Sequence, residues 1–290
     1  MIYPANLNLA ISSVAQTFSS QTLARKESVA KLASGSNFEA TRADLGGVKV
    51  AMKFKSSGIM LDAMHSNMTS ALSYLAAQED SLKQLGIQLD RMGELVTAMS
   101  DTTKTGNEQN SYLEEFNQLR SALAAGRAEK FNGLSLSYYE GEKPSYSVQL
   151  SESNASTLDI LPADMSKQAG WVALLGYNEP YTGVSGVSDT PANLMDPNLL
   201  GGTSFFEGMS GTVSSLLAKN ASQQSQLRFA LDHTKEAASL TKNAANTISD
   251  VDVAKEVTKL NKTDILLNSG SAMFAQANVA AESVLKLYAL

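Results

Sequence analysis

From Leu61 onward, apolar residues recur at alternating steps of three and four: Leu61, Met64, Met68, Ala71, Leu75, then Leu82, Leu85, Leu89, Met92, Val96 and Met99. Gln78 is the one polar position in the series. A repeat of 3.5 residues keeps one stripe against a partner helix, so the spacing predicts a long helix in a left-handed coiled coil. After the turn-prone DTTKTGN at 101–107, Tyr112, Phe116, Leu119 and Leu123 continue the pattern. So short a connection predicts that this second helix folds back antiparallel. A weaker 3-4 pattern runs from about Met209 to Ile248 through Val213, Leu217, Leu227, Leu231, Ala238 and Ala245.

The middle of the chain breaks this rhythm. Prolines occur only at 4, 144, 162, 180, 191 and 197, which leaves 5–143 and 198–290 free of the strongest helix breaker. YSVQLSESNASTLDI, 146–160, has two β-prone runs about the turn-prone SESNAS and predicts a hairpin. Residues 170–205, with Trp171, Tyr177 and Tyr181 among Gly and Pro, read as a compact surface loop. The expected fold is mainly α: a long antiparallel coiled-coil or helical bundle from both chain ends, with a small β-hairpin and a looped central segment.

The chain closes on SAMFAQANVAAESVLKLYAL, in which Glu282 and Lys286 are the only charges. Steps of seven give apolar columns through Val253, Leu260, Leu267 and Phe274, through Leu266, Met273 and Leu287, and through Ile265 and Val279. Asn278, Glu282 and Lys286 form one narrow polar stripe. Most faces of this helix therefore demand burial, and one neighbouring helix cannot cover them. Burying one such side chain is worth about 1.5–3 kcal/mol, whereas an isolated helix of this length is marginal. Such termini are expected to be mobile in a lone chain and helical only where helices of other chains pack around them.

Composition narrows the chemistry. The 290 residues carry a net charge of −6, which leaves no basic excess to neutralise nucleic-acid phosphates. The absence of cysteine excludes disulfide and thiolate chemistry. No segment approaches the roughly 18 apolar residues of a membrane span. The first 24 residues lack any charge and are interrupted by polar side chains, so they do not form a Sec signal. His65 and His233 are too few and too separated for a zinc helix, and no phosphate-cradling glycine loop or nucleophile elbow occurs. Met60, Met64 and Met68 read as coiled-coil core. Neither a catalytic residue nor a cofactor or metal site is expected. The sequence offers surfaces for association.

Several stretches resemble bacterial flagellin. LASGSNFEATRADLGGVKV, 32–50, is similar to the family segment L-S-S-G-x-R-I-N-S-A-x-D-D-A-A-G through Leu32, Ser34, Gly35, Asp44 and Gly47, and departs from it at Asn37, Glu39 and Ala43. RMGEL at 91–95 resembles R-V-R-E-L, and FNG at 131–133 and the hairpin fall where the family has them. The strongest likeness is ISDVDVAKEVTKLNKTDILLNSGSAMFAQAN, 248–278, with departures at Val251, Val253, Asn268, Ser269 and Phe274. Thr69–Ala71 depart from the family's N-D-G, and the middle is too short for the large outer domains of many flagellins.

That resemblance implies a structural subunit, secreted to the extracellular flagellum, that polymerises into the motility filament. It implies terminal assembly helices at 1–43 and 251–290, a helical rod with hairpin at 44–169, a variable outer segment at 170–208 and a return helix at 209–250. Subunit packing is expected from Ile11, Val14 and Phe18 near the N-terminus. In the C-terminal helix it is expected from Val253, Val257, Leu260, Leu267, Met273, Phe274, Val279, Val284, Leu287 and Tyr288. The implied route is type III flagellar export. The implied partners are other copies of the chain, an export chaperone at the C-terminal helix, hook-associated and cap proteins, and the innate toll-like receptor for flagellin at Arg91, Leu95 and Glu114. A hook–filament junction protein would share the terminal helices but matches the C-terminal pattern less closely. A membrane-active helix would need more Lys/Arg and interfacial Trp, and the middle segment lacks the convergent groups of an enzyme.

Overall fold

The computed structural model describes residues 3–38, 45–139, 144–152, 156–166 and 203–288, with the side chains of 3–11, 203–204, 280–281 and 284–288 excepted. Among these residues are five helices: α1 (Tyr3–Ser34), α2 (Leu45–Met99), α3 (Gly106–Gly126), α4 (Thr203–Ser249) and α5 (Val253–Tyr288). Six short strands lie between α3 and α4: β1 (Lys130–Phe131), β2 (Leu134–Ser135), β3 (Ser137–Tyr138), β4 (Tyr146–Gln149), β5 (Thr157–Ile160) and β6 (Ala163–Asp164). Two compact units result, Met1–Ile59 with Ala238–Leu290, and Met60–Ala237. The fold is mainly α, as the patterning predicts.

In the Met60–Ala237 unit the 3-4 seam of α2 is the core. Leu61, Met64, Met68, Ala71, Leu75, Leu82, Leu89, Met92, Val96 and Met99 are all buried. Met60 departs from the reading of a three-methionine core stripe: it is 47% exposed, because it lies off the seam that Met64 and Met68 occupy. α2 ends where Asp101 and Thr105 organise a turn. Thr103 N donates to Asp101 Oδ1, while Thr105 and Glu108 form a reciprocal capping box that starts α3. α3 then runs back along α2, since Gln109 bonds the Met99 carbonyl and Arg91 bonds Glu115. Phe116 and Leu123 enter the same core.

α4 begins six residues before Met209, inside the stretch read as loop, and residues 170–202 lie outside the described residues. Phe206 explains the early start. It is buried, stacks edge-on with Phe116 at 6.2 Å and packs over Gly93, anchoring the first turn. From there α4 descends antiparallel to α2: Phe206 meets Gly93, Val213 meets Gly86, and Asn220 bonds Gln78.

The predicted hairpin is present, with β4 and β5 antiparallel in the register Tyr146↔Ile160 to Gln149↔Thr157. Two further pairings were not legible. β1 and β2 close around Asn132 (φ 50°) and Gly133 (φ 81°), the two positive-φ positions a tight hairpin turn needs. β3 and β6 pair in parallel. Tyr74 ties this region to α2 by donating to the Ser135 carbonyl at 2.6 Å, and burial pushes its phenol well above the ordinary value.

In the other unit, α1 stops at Gly35, whose φ of +70° and bond to the Lys31 carbonyl form a left-handed helix end. Gly35 and Asn37 pair with Val251 and Ser249, and Ser36 bridges Asp250. Asp252 caps α5 by accepting from Lys255 N at 3.1 Å.

Candidate assembly surface

α1 and α5 lie side by side and antiparallel. Going outward from their joined ends, Ser28 meets Glu256, Arg25 meets Asp264, and Phe18 lies over Gly270. On α5 the less exposed positions are Glu256, Leu260, Thr263, Leu267, Gly270, Phe274 and Ala277, a 3-4 seam of mixed polarity, with Asp264 beside Thr263. Three of the expected packing residues of α5, Leu260, Leu267 and Phe274, are thus turned toward a helix of the same chain. Val14 is likewise half-buried on α1.

Glu256 is the unusual member of the seam. The residue is 9% exposed, and its carboxylate accepts from Ser28 Oγ at 2.6 Å and from Lys259 Nζ at 3.2 Å. Desolvation raises its pKa, but the bonds from Ser28 and Lys259, with the charge of Lys31, outweigh it and hold the group below its ordinary value. Arg25 and Asp264 make a second link at 2.7 Å. Apolar columns alone do not mark these residues. The signal available was that Glu256 and Thr263 fall into the 3-4 seam with Leu260 and Leu267.

The opposite faces hold what a single chain cannot bury. Ile265 (68% exposed), Met273 (60%) and Val279 (60%), with Leu266, Val253 and Val257, stand open on α5. Phe18, Leu23 and Val29 stand open on α1. Among the expected packing residues, Val253, Val257, Met273 and Val279 therefore belong to this uncovered surface, while Phe18, over Gly270, sits at the edge of the α1–α5 contact and is 43% exposed. The side chains of Ile11, Val284, Leu287 and Tyr288 lie outside the described residues. Asn278 and Glu282, from the polar stripe, are exposed. Among the described residues no helix is long and apolar enough to cross a membrane, and no cluster of metal-ligating side chains occurs.

The residues expected to meet a receptor separate. Arg91 forms a two-point bond with Glu115, Nε to Oε1 at 2.7 Å and Nη2 to Oε2 at 3.1 Å, and a third bond to Glu94 at 2.9 Å. Hydrogen bonding to Arg91 holds the Glu115 carboxyl below its ordinary range. Glu114 is exposed. Leu95, however, is 2% exposed and part of the core with Phe116 and Phe206. In the closed bundle its side chain therefore lies beneath the surface that bears Arg91 and Glu114. α2 is flanked by both α3 and α4, so its buried sector is wider than a two-helix seam and takes in this position.

Comparison with known families adds the decisive observation. Residues 5–136 match the bacterial flagellin N-terminal helical region, and residues 210–288 match the bacterial flagellin C-terminal helical region. The chain belongs to the bacterial flagellin family. It is 26% identical over 291 residues to the flagellar filament 33 kDa core protein of Treponema phagedenis, covering 97% of this chain and 98% of that one. It is 24% identical over 305 residues to a flagellin of Bacillus subtilis, with 97% and 98% covered. A flagellin of Listeria innocua is 22% identical over 261 residues, covering 89% of each. Of this flagellin-family chain, the N-terminal match takes in most of α1, all of α2 and α3 and the β1–β2 turn, and the C-terminal match takes in most of α4 and all of α5.

Proposed function

We propose that this chain is a structural subunit that polymerises with itself into the extracellular flagellar filament, and that it performs no catalysis. The observation that carries the reading is the double exposure of α1 and α5. Each already spends one face on the other, yet each leaves large apolar side chains open to water on another face. Large apolar side chains exposed in this number on one element mark a protein-interaction surface. Because both helices bear it, copies of one chain can satisfy one another without a second component.

In this proposal 1–43 and 251–290 form the inner wall of the polymer, 44–169 and 209–250 the surrounding rod, and 170–208 the outer segment. Val253, Val257, Met273, Val279 and Phe18 pack between subunits, while Val14, Leu260, Leu267 and Phe274 first complete the α1–α5 pair. Before assembly the open face of α5 needs cover, which is the role assigned to an export chaperone on the type III flagellar route. Hook-associated and cap proteins would bound the polymer. A receptor reading retains Arg91 and Glu114. Replacing Ile265 and Met273 with glutamate tests the central proposal. The variant should remain a folded monomer by circular dichroism and fail to seed or extend polymers. Normal polymerisation would remove the proposed interface.

A further inference from the structure

Gln78, the one polar residue in the apolar seam of α2, is 3% exposed, and it faces Asn220 (1%) and Gln224 (6%) on α4. These three amides are joined in series. Asn220 Nδ2 donates to the Leu75 carbonyl at 2.9 Å and to Gln78 Oε1 at 2.8 Å. Asn220 Oδ1 accepts from Gln224 Nε2 at 2.7 Å, and that nitrogen also reaches Glu79 Oε2 at 2.6 Å. Gln78 Nε2 extends the layer sideways, donating to the carbonyls of Leu136 at 2.8 Å and Leu161 at 3.2 Å, which flank β3 and β6. Gln224 Oε1 accepts from Arg228 at 3.2 Å. Every amide oxygen has a donor and every amide nitrogen two acceptors.

We infer that the Gln78–Asn220–Gln224 layer is a register lock, which selects one axial position of α4 along α2 and of the β segment against both. The apolar seam chooses only in part. Phe206 over Gly93 and Val213 over Gly86 favour the native position, but along the rest of the seam apolar side chains at 3-4 spacing repeat every turn, so a slip by one turn returns most of them to apolar holes. The same slip pulls Asn220 away from Leu75 and Gln78, and buried amides without partners are costly whereas apolar contacts simply exchange. A polar group buried in a helix seam fixes register at the expense of stability. The lock stands on these contacts alone; the need for it rests on the filament reading, because a regular polymer cannot be built from subunits in mixed registers.

The chain has no cysteine, so introduced pairs report register in the monomer, independently of polymerisation. A side chain at Gly86 meets Val213, with its Cβ 3.7 Å from Val213 Cγ1. Gly86→Cys/Val213→Cys reads the native register, while Gly86→Cys with Ser210→Cys or Leu217→Cys reads slips of one turn. In the otherwise unaltered chain the offset pairs should oxidise about tenfold or more slowly than the native pair, the ratio set by leaving one buried amide unpaired. With Gln78→Met, Asn220→Leu and Gln224→Met together, helicity and Tm should be kept or raised, and the offset pairs should close severalfold faster than in the otherwise unaltered chain. Asn220→Leu alone should lower Tm, because it strands Gln78 and Gln224. Retention of a single register in the triple variant would overturn the inference. Failure of the triple variant to fold cooperatively would overturn it as well, since the layer would then supply stability rather than choice.

Discussion

Ser28 of α1 donates its hydroxyl to the buried carboxylate of Glu256 on α5 at 2.6 Å, a bond that ties two helices 228 residues apart in sequence. The carboxylate is held ionised by Ser28 and Lys259 against its own desolvation, with Lys31 adding favourable charge. A group whose folded pKa is depressed stabilises the fold above its unfolded pKa and loses that contribution as pH falls through the folded value. The α1–α5 pair is therefore expected to loosen on acidification below the ordinary value of 4.5. Ser28→Ala should cost about 1.5–3 kcal/mol as the loss of a bond to a buried charge, and should move the acid transition to higher pH. Thermal melts from pH 3 to 7 check both.

The two glycines of α2 that face α4 predict opposite outcomes. A Cβ at Gly86 would make ordinary contact with Val213 at 3.7 Å, so Gly86→Ala should stabilise by about 0.5–1 kcal/mol through helix propensity. At Gly93 the same atom would come within 3.3 Å of Phe206 Cβ. Gly93→Leu should therefore push the first turn of α4 away and cost about 1–3 kcal/mol as overpacking. Denaturant unfolding of the two variants decides.

Arg91, Glu114 and Leu95 should behave as two different kinds of residue. Leu95→Ala opens a cavity in the core and should cost about 2–5 kcal/mol. Arg91→Ala removes exposed ion pairs to Glu94 and Glu115 and should leave Tm little changed. If Arg91 and Glu114 form a receptor surface, Arg91→Ala and Glu114→Ala should reduce activation of receptor-bearing cells without loss of fold. Leu95→Ala should act only as far as it unfolds the protein. Equal activation by every folded variant would remove the receptor reading.

Protection from hydrogen exchange should be uneven in the monomer. Amides of α2 around Leu89–Met99 sit beside a buried core, whereas α1 and α5 touch water over much of their surface. Exchange in α1 and α5 should be fast in dilute monomer and slow markedly on polymerisation. Full protection of both helices in the monomer would contradict a surface completed by neighbouring copies.

What the sequence disclosed follows from the range of the interactions involved. The α2 seam was legible because a 3-4 repeat persists over twelve positions from Leu61 to Met99. Gln78 stood out as its exception, but its partners Asn220 and Gln224 lie more than 140 residues away and carry no local mark. The β4–β5 hairpin announced itself by turn chemistry, whereas the two-residue parallel pairing of β3 with β6 depends on tertiary placement. The apolar excess of α5 was plain. Which of its faces meets α1 was not, because that face is chosen by Glu256, Asp264 and Gly270, polar or small residues that hydrophobic columns omit. Leu95 was assigned by likeness to a neighbouring motif, and the second flanking helix, α4, put it inside.

Electron microscopy of the purified full chain under polymerising conditions, beside a chain truncated after Gly270, tests the central claim most directly. The truncation removes Met273, Phe274 and Val279 and leaves the Ser28–Glu256 and Arg25–Asp264 links in place. Long hollow filaments from the full chain, with only monomers from the truncated one, are the predicted result. Filaments from both, or only monomers and short rings from the full chain, would contradict it.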